Sequence, residues 1–528
     1  MSKKTERRRR DSVTKESIDR MDNFKYQLIL EGVGVGFFVG IVVGLFRFAL
    51  QKAEELRNLY LSLAERSALL TIGWIFILIF LAMVVMFCLR KEPLCSGSGI
   101  PQVKGEMRGR INAKWLQVII AKFLGGVAAL GGGLALGREG PSIQLGAMVG
   151  KGFSRISNRM RTEEKMLMSC GAGAGLSAAF GAPLAGVVFV LEELHKNFSK
   201  EVLLSSMAAA ISGNCVASYM FGLEPVFSFP ESPVMPLSHY WMVALLGVIL
   251  GVFGVIYNKN ISLMQDLYGK IKPLWLKVAI PFTMALVLTF VYPEMLGSGH
   301  ELVGETAVGT FTSKTLLLIL IIKFVYSGFC FGSGSPGGIF LPLLVLGSIS
   351  GGLFTEVVSP LCGFEETYIG FFVILGMAGY FSAIVRAPIT GIILISEMTG
   401  TLSNLLALSI VSLVAYMTAE VLKGEPIYDQ LLDRMLEKGV KRKPKRTNKV
   451  LIESEVHTGS AADGMTLAEI HLPEGCLVVS VVRDERETVP NGQTKLMEGD
   501  RLVVLCNEYM VAEIEDTLEA LCKTVTKL

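Results

Sequence analysis

Two adjacent charges, Arg138 and Glu139, interrupt an apolar chain in the stretch GGGLALGREGPSIQLG, residues 131–146. Pro141 follows Glu139 by two residues, and proline is favoured in the first turn of a helix, where its missing N–H costs nothing. The stretch therefore predicts a helix that begins at Glu139. A helix start favours an anion, and a carboxylate there can fill or vacate the anion site as it loses or gains a proton. The alternative is an Arg–Glu pair that caps a buried helix.

Composition and charge placement define the class of protein. Hydrophobic residues make up 51% of the 528 residues, charged residues make up 18%, and 56 residues are glycine. This composition predicts a polytopic membrane protein with closely packed helices. Basic clusters at residues 7–10 and 441–446 flank the apolar region. Because basic flanks mark the cytoplasmic side, both termini are expected in the cytoplasm and the chain in the cell membrane.

Several classes of function are disfavoured by what the sequence lacks. It contains no phosphate-binding loop, catalytic triad or metal-ligand cluster, so we expect neither an enzyme nor a bound cofactor. The nine cysteines show no CxxC or CxxH spacing, which indicates reduced packing residues. A nucleic acid polymer is not an expected partner, because the basic clusters adjoin a membrane region.

The stretch around Glu139 recurs later in the chain. Three matches at an offset of 201 carry this repeat: Gly137 with Gly338, Pro141 with Pro342, and Gly146 with Gly347. The same offset places Glu139 opposite Phe340. Several apolar runs are too short to cross about 30 Å of hydrocarbon, which is typical of transporters with interrupted helices. Two matching helix starts therefore predict an inverted repeat whose helix N-termini meet at a shared site.

Two adjacent acids, Glu192 and Glu193, end the apolar segment 168–194. At an offset of 205, Glu192 matches Glu397, whereas Glu193 faces Met398. An acid within a membrane segment is costly, so both are candidate functional residues. The alternative is a position at the cytosolic interface, which suits Glu192 better than Glu193.

Two further segments have ordinary explanations when they are considered alone. In KEPLCSGSGIPQVK, residues 91–104, glycines on both sides of Ser98 would let backbone and hydroxyl approach an ion. The composition of this segment is nevertheless typical of a surface loop. Tyr428 directly follows the last apolar run, where aromatic residues commonly anchor a helix at the membrane interface.

Four motifs in this order resemble the CLC family of chloride channels and proton/chloride antiporters: GSGIPQ at 97–102, GREGPS at 137–142, GGIFLP at 337–342, and the segment of Tyr428. The resemblance implies the CLC fold, which is an all-α polytopic membrane protein built from an inverted repeat of tilted and broken helices. It also implies a homodimer with one anion pathway per subunit. The transport domain is expected at residues 25–438, after a cytosolic basic segment at residues 1–24.

The resemblance assigns roles residue by residue. It implies an anion-binding set of two hydroxyls and the residues at two helix starts: Ser98, Arg138, Glu139, Gly140, Ile339, Phe340 and Tyr428. Glu139 matches the external gating glutamate, and the side chain of Arg138 is assigned to positioning. Glu193 matches the inner proton-transfer glutamate of the antiporters. Because channels of the family commonly have an apolar residue there, Glu193 favours exchange over passive conduction.

The C-terminal residues 450–528 resemble a TrkA-C (RCK C-terminal) domain, joined by a linker at residues 439–449. This small α/β domain is predicted to contain three strands and one helix: residues 450–456, 476–483, 500–506 and 508–521. Some related domains bind cyclic dinucleotides, and Arg483, Pro490 and Asn491 offer a cation and backbone donors for phosphates. The alternative is that Arg483 is a solvated charge at a strand end and the domain braces a dimer.

The predicted function is a proton-coupled chloride antiporter, with chloride and protons as transported ions and a regulatory cytosolic domain. The first alternative is a passive voltage- or ligand-gated chloride channel on the same scaffold. A potassium transport component is a third candidate, because TrkA-C domains often serve potassium systems. The chain contains no carbonyl-rich potassium filter sequence, and its Gly-rich helix starts favour anions.

Overall fold

The computed structural model describes residues 3–64, 68–159, 161–196, 198–227, 229, 235–362, 366–437, 449–473, 475–483, 486–507 and 511–522. The chain divides into two compact units. One contains residues 1–103 and 114–431, and the other contains residues 104–113 and 432–528.

The described part of the first repeat half contains eight α-helices. They are α1 (Lys3–Ala64), α2 (Ala68–Lys91), α3 (Ile100–Met107), α4 (Trp115–Gly131), α5 (Glu139–Ile156), α6 (Arg161–Phe180), α7 (Pro183–Phe189) and α8 (Lys200–Phe221). A π-helical turn at Val190–His195 directly extends α7. The long apolar run that ends at the two acids is therefore broken between α6 and α7, just before Pro183.

The second half follows the same order, and one more helix ends the membrane region. These helices are α9 (Tyr240–Lys270), α10 (Leu274–Val291), α11 (His300–Val308), α12 (Ser313–Gly332), α13 (Phe340–Cys362), α14 (Ile369–Val385), α15 (Pro388–Thr399), α16 (Leu405–Val421) and α17 (Ile427–Glu437). Among the described residues, seven helices are long and apolar enough to cross a membrane, namely α1, α2, α8, α9, α10, α12 and α13. Four shorter apolar helices, α4, α14, α15 and α16, lie between them in the sequence. The predicted mixture of spanning and short helices is confirmed.

The two halves meet at the centre of the repeat. α5 begins at Glu139 and α13 begins at Phe340, so the repeat offset found in the sequence also relates the two helix starts. Gly137 and Gly338 pair as an antiparallel bridge, in which the N–H of each donates to the carbonyl of the other at 2.7 Å. The predicted meeting of two helix N-termini is therefore confirmed.

Glycine lets matching pairs of helices approach closely in both halves. A Cβ on Gly146 of α5 would overlap the carbonyl oxygen of Gly171 on α6. A Cβ on Gly347 of α13 would likewise overlap the carbonyl oxygen of Gly376 on α14. The repeat therefore recurs on glycine because only glycine fits where these backbones touch.

The smaller unit contains a four-stranded antiparallel sheet in the order β1-β4-β2-β3. Its strands are β1 (Lys449–Glu455), β2 (Leu477–Arg483), β3 (Arg486–Thr488) and β4 (Arg501–Asn507), and α18 (Val511–Cys522) follows. One core joins the helix to the sheet through buried side chains that include Val481, Leu502, Val504, Ile514 and Leu518. The three predicted strands and the helix are confirmed, whereas β3 was not predicted. Apart from Lys449, the predicted linker lies outside the described residues.

Candidate functional site

Backbone from three segments converges where the repeat halves meet. A Cβ on Gly140, in the first turn of α5, would lie 2.6 Å from the hydroxyl oxygen of Ser98. A Cβ on Gly338, just before α13, would lie 3.1 Å from the backbone nitrogen of Gly140. The N–H of Gly337 donates to the carbonyl of Gly97 at 3.0 Å. The loop before α3 and the starts of α5 and α13 therefore form one close-packed site.

The two helix starts supply backbone donors at this site. The first bond within α5 runs from the N–H of Ser142 to the carbonyl of Arg138 at 3.0 Å. In α13 it runs from Leu343 to Ile339, also at 3.0 Å. The N–H groups ahead of these bonds, including that of Phe340, have no acceptor within their own helices. Together with the positive ends of two helix dipoles, they favour an anion.

The carboxylate of Glu139 lies at the start of α5 and is fully buried. Neither of its oxygens makes a hydrogen bond of ordinary geometry within the described structure, although the N–H of Leu341 is close. The Nε atom of Arg138 lies 3.9 Å from one oxygen, and the Arg138 side chain is 24% exposed. A buried, ionised carboxylate with so few partners is costly, so this group is suited to gaining a proton or giving up its place to an anion.

Ser98 and Tyr428 are both buried, at 2% and 0% exposed. The explanations of residues 91–104 as a surface loop and of Tyr428 as an interfacial anchor are therefore wrong, because both side chains lie inside the protein. The hydroxyl of Tyr428 has no hydrogen-bond partner among the described side chains and backbone. It interacts electrostatically with both Glu193 and Glu139. Tyr428 is thus within electrostatic range of both acids to which the resemblance assigns proton transfer.

Apolar side chains enclose the start of α13. Ile339 and Phe340 are buried, and the Phe340 ring lies 5.5 Å from the ring of Phe180 and 4.9 Å from that of Phe381. This wall keeps water from the backbone donors, so their dipoles act at a low local dielectric. An anion there would be held by dipoles and hydroxyls without a full cation, which permits release as well as binding.

Comparisons with known proteins show to which family this chain belongs. The family described as Voltage gated chloride channel matches residues 80–420, and the TrkA-C domain matches residues 451–519. The H(+)/Cl(-) exchange transporter ClcA of Vibrio cholerae serotype O1 is 38% identical over 431 residues, which is 79% of this chain and 91% of that relative. This chain belongs to the voltage-gated chloride channel (CLC) family.

Solved structures agree with this CLC membership. A slow cyanobacterial Cl−/H+ antiporter superposes with a TM-score of 0.74 at 29% identity, covering 78% of this chain and 99% of that one. A eukaryotic CLC transporter superposes with a TM-score of 0.65 at 23% identity, covering 80% and 78%. The predicted fold class and both family resemblances are therefore confirmed.

Buried lysines hold the loops of this CLC site in place, and sequence reasoning missed them. The ammonium group of Lys122 donates to the carbonyls of Cys95 and Gly97 at 3.0 and 2.5 Å, just before Ser98. Lys323 donates to the carbonyl of Gly297 at 3.0 Å. Because the two lysines are related by the offset of 201, extending the repeat comparison to them would have found this pair.

The acids matched at the offset of 205 cap helices in opposite halves of the CLC region. One oxygen of Glu192 accepts the N–H of Ile389 at 3.2 Å, and the other accepts the N–H and the hydroxyl of Thr390 at 2.7 Å each. Glu397 accepts the N–H groups of Leu184 and Ala185 at 3.1 and 2.8 Å. Glu192 therefore caps α15, which carries Glu397, and Glu397 caps α7, which the π-helical turn with Glu192 extends.

Glu193 has a different environment from its neighbour. Both acids lie in the π-helical turn after α7, but Glu193 is 3% exposed, whereas Glu192 is half-buried. A π-helical turn changes which side chains share a helix face and is frequent at functional sites. Within this turn Glu192 caps a helix of the other repeat half, whereas Glu193 is buried within electrostatic range of Tyr428.

The tail residue Arg483 is already engaged within its domain. Its Nε and Nη2 atoms donate to the two oxygens of Asp500 at 2.6 Å each, and Nη2 also donates to the carbonyl of Lys495 at 2.9 Å. Asp500 is buried and also accepts the N–H of Met497 at 2.8 Å. Burial raises the pKa of Asp500, but the hydrogen bonds from Arg483 and Met497 outweigh it and hold the pKa below its ordinary value.

The turn predicted to offer donors to a phosphate is also occupied internally. The N–H of Asn491 donates to the hydroxyl of Thr494 at 2.8 Å, and its side-chain oxygen accepts the N–H of Gln493 at 3.0 Å. Pro490 has no N–H to donate. The contacts of Arg483 and Asn491 are thus structural, and a ligand at this turn stays a prediction.

Proposed function

We propose that this protein exchanges chloride for protons across the cell membrane, as a homodimer with both termini in the cytoplasm. The observation that carries the proposal is the buried carboxylate of Glu139, which occupies a helix start beside Ser98 with no regular hydrogen bond among the described residues. A carboxylate in that place competes directly with a transported anion. The relative named as an H(+)/Cl(-) exchange transporter supports the same activity.

The anion is bound by dipoles in this proposal. The hydroxyls of Ser98 and Tyr428 and the N–H groups at the start of α13 bind a central chloride, with Ile339 and Phe340 as backbone donors. When the carboxylate of Glu139 leaves the start of α5, a second chloride takes its place against the N–H groups there, including that of Gly140. Because these ligands carry partial charges, chloride is bound without being trapped.

The proton follows a route that uses two acids. Glu139 takes up a proton when it leaves the helix start, because an ionised carboxylate away from that start loses its favourable dipole. Glu193 receives the proton on the inner side. Tyr428 interacts electrostatically with both acids, so each proton transfer alters the field at the anion site.

Passive chloride conduction is the second candidate, and the family description itself includes chloride channels. The buried acid Glu193 favours exchange, because channels of the family commonly have an apolar residue at this position. The TrkA-C domain regulates the transport region through a cyclic dinucleotide in this proposal, and the alternative is that the domain only braces the dimer.

Reconstituted liposomes test the proposal. An imposed chloride gradient should drive protons uphill, and the proton movement should stop when the chloride gradient is removed. Chloride flux without proton movement would favour the channel. Rubidium uptake without chloride flux would favour the potassium alternative.

A further inference from the structure

Arg47 is a cation on α1 that the proposed mechanism does not use. Its Nη1 atom donates to the carbonyl of Ala178 on α6 at 2.7 Å, and its guanidinium lies 4.1 Å from the ring centroid of Phe221 on α8. The side chain is half-buried, and its Nε atom is buried with no hydrogen-bond partner in the described part of the chain. A guanidinium has five N–H donors, so the contact with Ala178 leaves capacity for a further acceptor.

Packing brings this guanidinium toward the gating residue Glu139. Arg47 interacts electrostatically with both Arg138 and Glu139. The contact at Ala178 lies two residues before Phe180, whose ring packs 5.5 Å from that of Phe340. The hydrogen bond to Ala178 therefore brings Arg47 toward the start of α13, and the electrostatic interactions with Arg138 and Glu139 agree with this position.

The balance of charge there depends on Glu139. While Glu139 is ionised, two arginines face one carboxylate. Once Glu139 is protonated or displaced, two cations in a partly buried place repel one another unless an anion joins them. His300, whose ring stacks on Phe227 at 4.6 Å, adds a titratable group that also interacts with Arg138.

We propose that Arg47 and Arg138 together form an anion-gathering site outside Glu139, which loads chloride when the gate is protonated. This inference deepens the proposed function and rests on it. Two cations at the mouth of a low-dielectric pathway raise the local chloride concentration, and the effect weakens with ionic strength. Arg47 supplies one of the two cations that attract the incoming anion. The competing explanation is a tether that only ties α1 to α6 and α8.

Variants of Arg47 separate charge from tethering. Arg47→Gln and Arg47→Met remove the charge, Arg47→Lys keeps it, and Phe221→Leu removes the stacking but keeps the arginine. Lys52→Gln is the matched control, because Lys52 is an exposed cation on the same helix that pairs with Glu55. Initial chloride flux is measured against external chloride at low and high ionic strength, with an impermeant anion as the added salt.

Loss of the charge should raise the half-saturating chloride concentration about threefold to tenfold at low ionic strength, with little change in maximal flux. This difference in half-saturating concentration should shrink at high ionic strength. The variants Arg47→Lys, Phe221→Leu and Lys52→Gln should keep a value close to that of the unmodified protein. Equal effects in Arg47→Lys and Arg47→Gln, or no change in either charge-removing variant, would overturn the proposal.

Chloride binding by calorimetry on the same purified variants tests Arg47 independently of transport. Weaker binding in Arg47→Gln than in Arg47→Lys supports the site, and equal affinity overturns it. Absence of flux in the unmodified protein, with chloride binding intact, would contradict the exchange function without touching the assignment of Arg47.

Discussion

Replacing Glu192 by glutamine should weaken the contact between the repeat halves but leave proton exchange working. The carboxylate of Glu192 accepts two backbone N–H groups at the start of α15, and Glu397 does the same for α7. Glutamine retains one acceptor oxygen and turns an NH2 group toward a donor. One N–H group at the helix start therefore loses its acceptor in Glu192→Gln and, equivalently, in Glu397→Gln.

The size of the effect follows from these bonds. Loss of a helix cap costs about 0.5–2 kcal/mol, and a hydrogen bond to a charged group contributes about 1.5–3 kcal/mol. Because Glu192 is half-buried, solvent screens part of its charge, so we expect about 1–2 kcal/mol. This free energy corresponds to a roughly 5- to 30-fold loss of amide protection at Ile389 and Thr390.

Hydrogen exchange followed by mass spectrometry measures that protection in purified protein, on peptides covering α7 and α15. Glu397→Gln is the matched control, because it should lose amide protection by a similar factor at α7 instead of α15. Proton uptake into liposomes should persist in both variants and disappear in Glu193→Gln, because an amide cannot carry the proton. Unchanged protection at α15 would refute the cap. Loss of proton uptake in Glu192→Gln with retention in Glu193→Gln would reverse the assignment of the acids.

Three further predictions concern the gate, the selectivity of the site and the tail. Glu139→Gln should keep chloride flux but lose uphill proton movement, because the neutral side chain neither carries a proton nor reoccupies the anion site; retained pumping contradicts the gate. Ser98→Pro should raise nitrate flux relative to chloride in a competition assay, because it removes the hydroxyl donor; an unchanged ratio assigns selectivity to the backbone. Asp500→Asn should destabilise the sheet of the tail by about 1–3 kcal/mol, measured by hydrogen exchange of β2 and β4 in the full chain. The pKa of Asp500 is below its ordinary value of 3.8, so the stability that its carboxylate contributes is present above about pH 3.8 and is lost as the pH falls further. A tail that becomes more stable on acidification would contradict the pairing of Asp500 with Arg483.

Features that depend on backbone geometry were predictable from the sequence. The start of α5 followed from Pro141 and the adjacent charges, and α5 does begin at Glu139. The repeat was visible because its matches fall on glycine and proline. The bridge between Gly137 and Gly338, and the contacts of Gly146 and its counterpart, admit no larger side chain.

Features that depend on distant partners were not predictable. Ser98 has the composition of a surface loop around it, and its burial comes from Gly140 and α13, which the chain reaches much later. Tyr428 resembled an interfacial anchor for the same reason. Arg47 is a single cation on an apolar helix, and no local pattern marks it. β3 contains three residues, which is too short for a strand pattern to emerge.

A proton gradient applied at equal chloride concentrations tests whether proton and chloride movements are coupled. In liposomes whose membrane potential is held at zero, with the same chloride concentration inside and outside, a pH difference is imposed and internal chloride is followed. The coupling of Glu139, Tyr428 and Glu193 predicts that chloride accumulates against its own gradient on the more acidic side, as protons leave that side. Internal chloride that stays constant, in liposomes that dissipate an imposed chloride gradient rapidly, would contradict exchange and establish passive conduction.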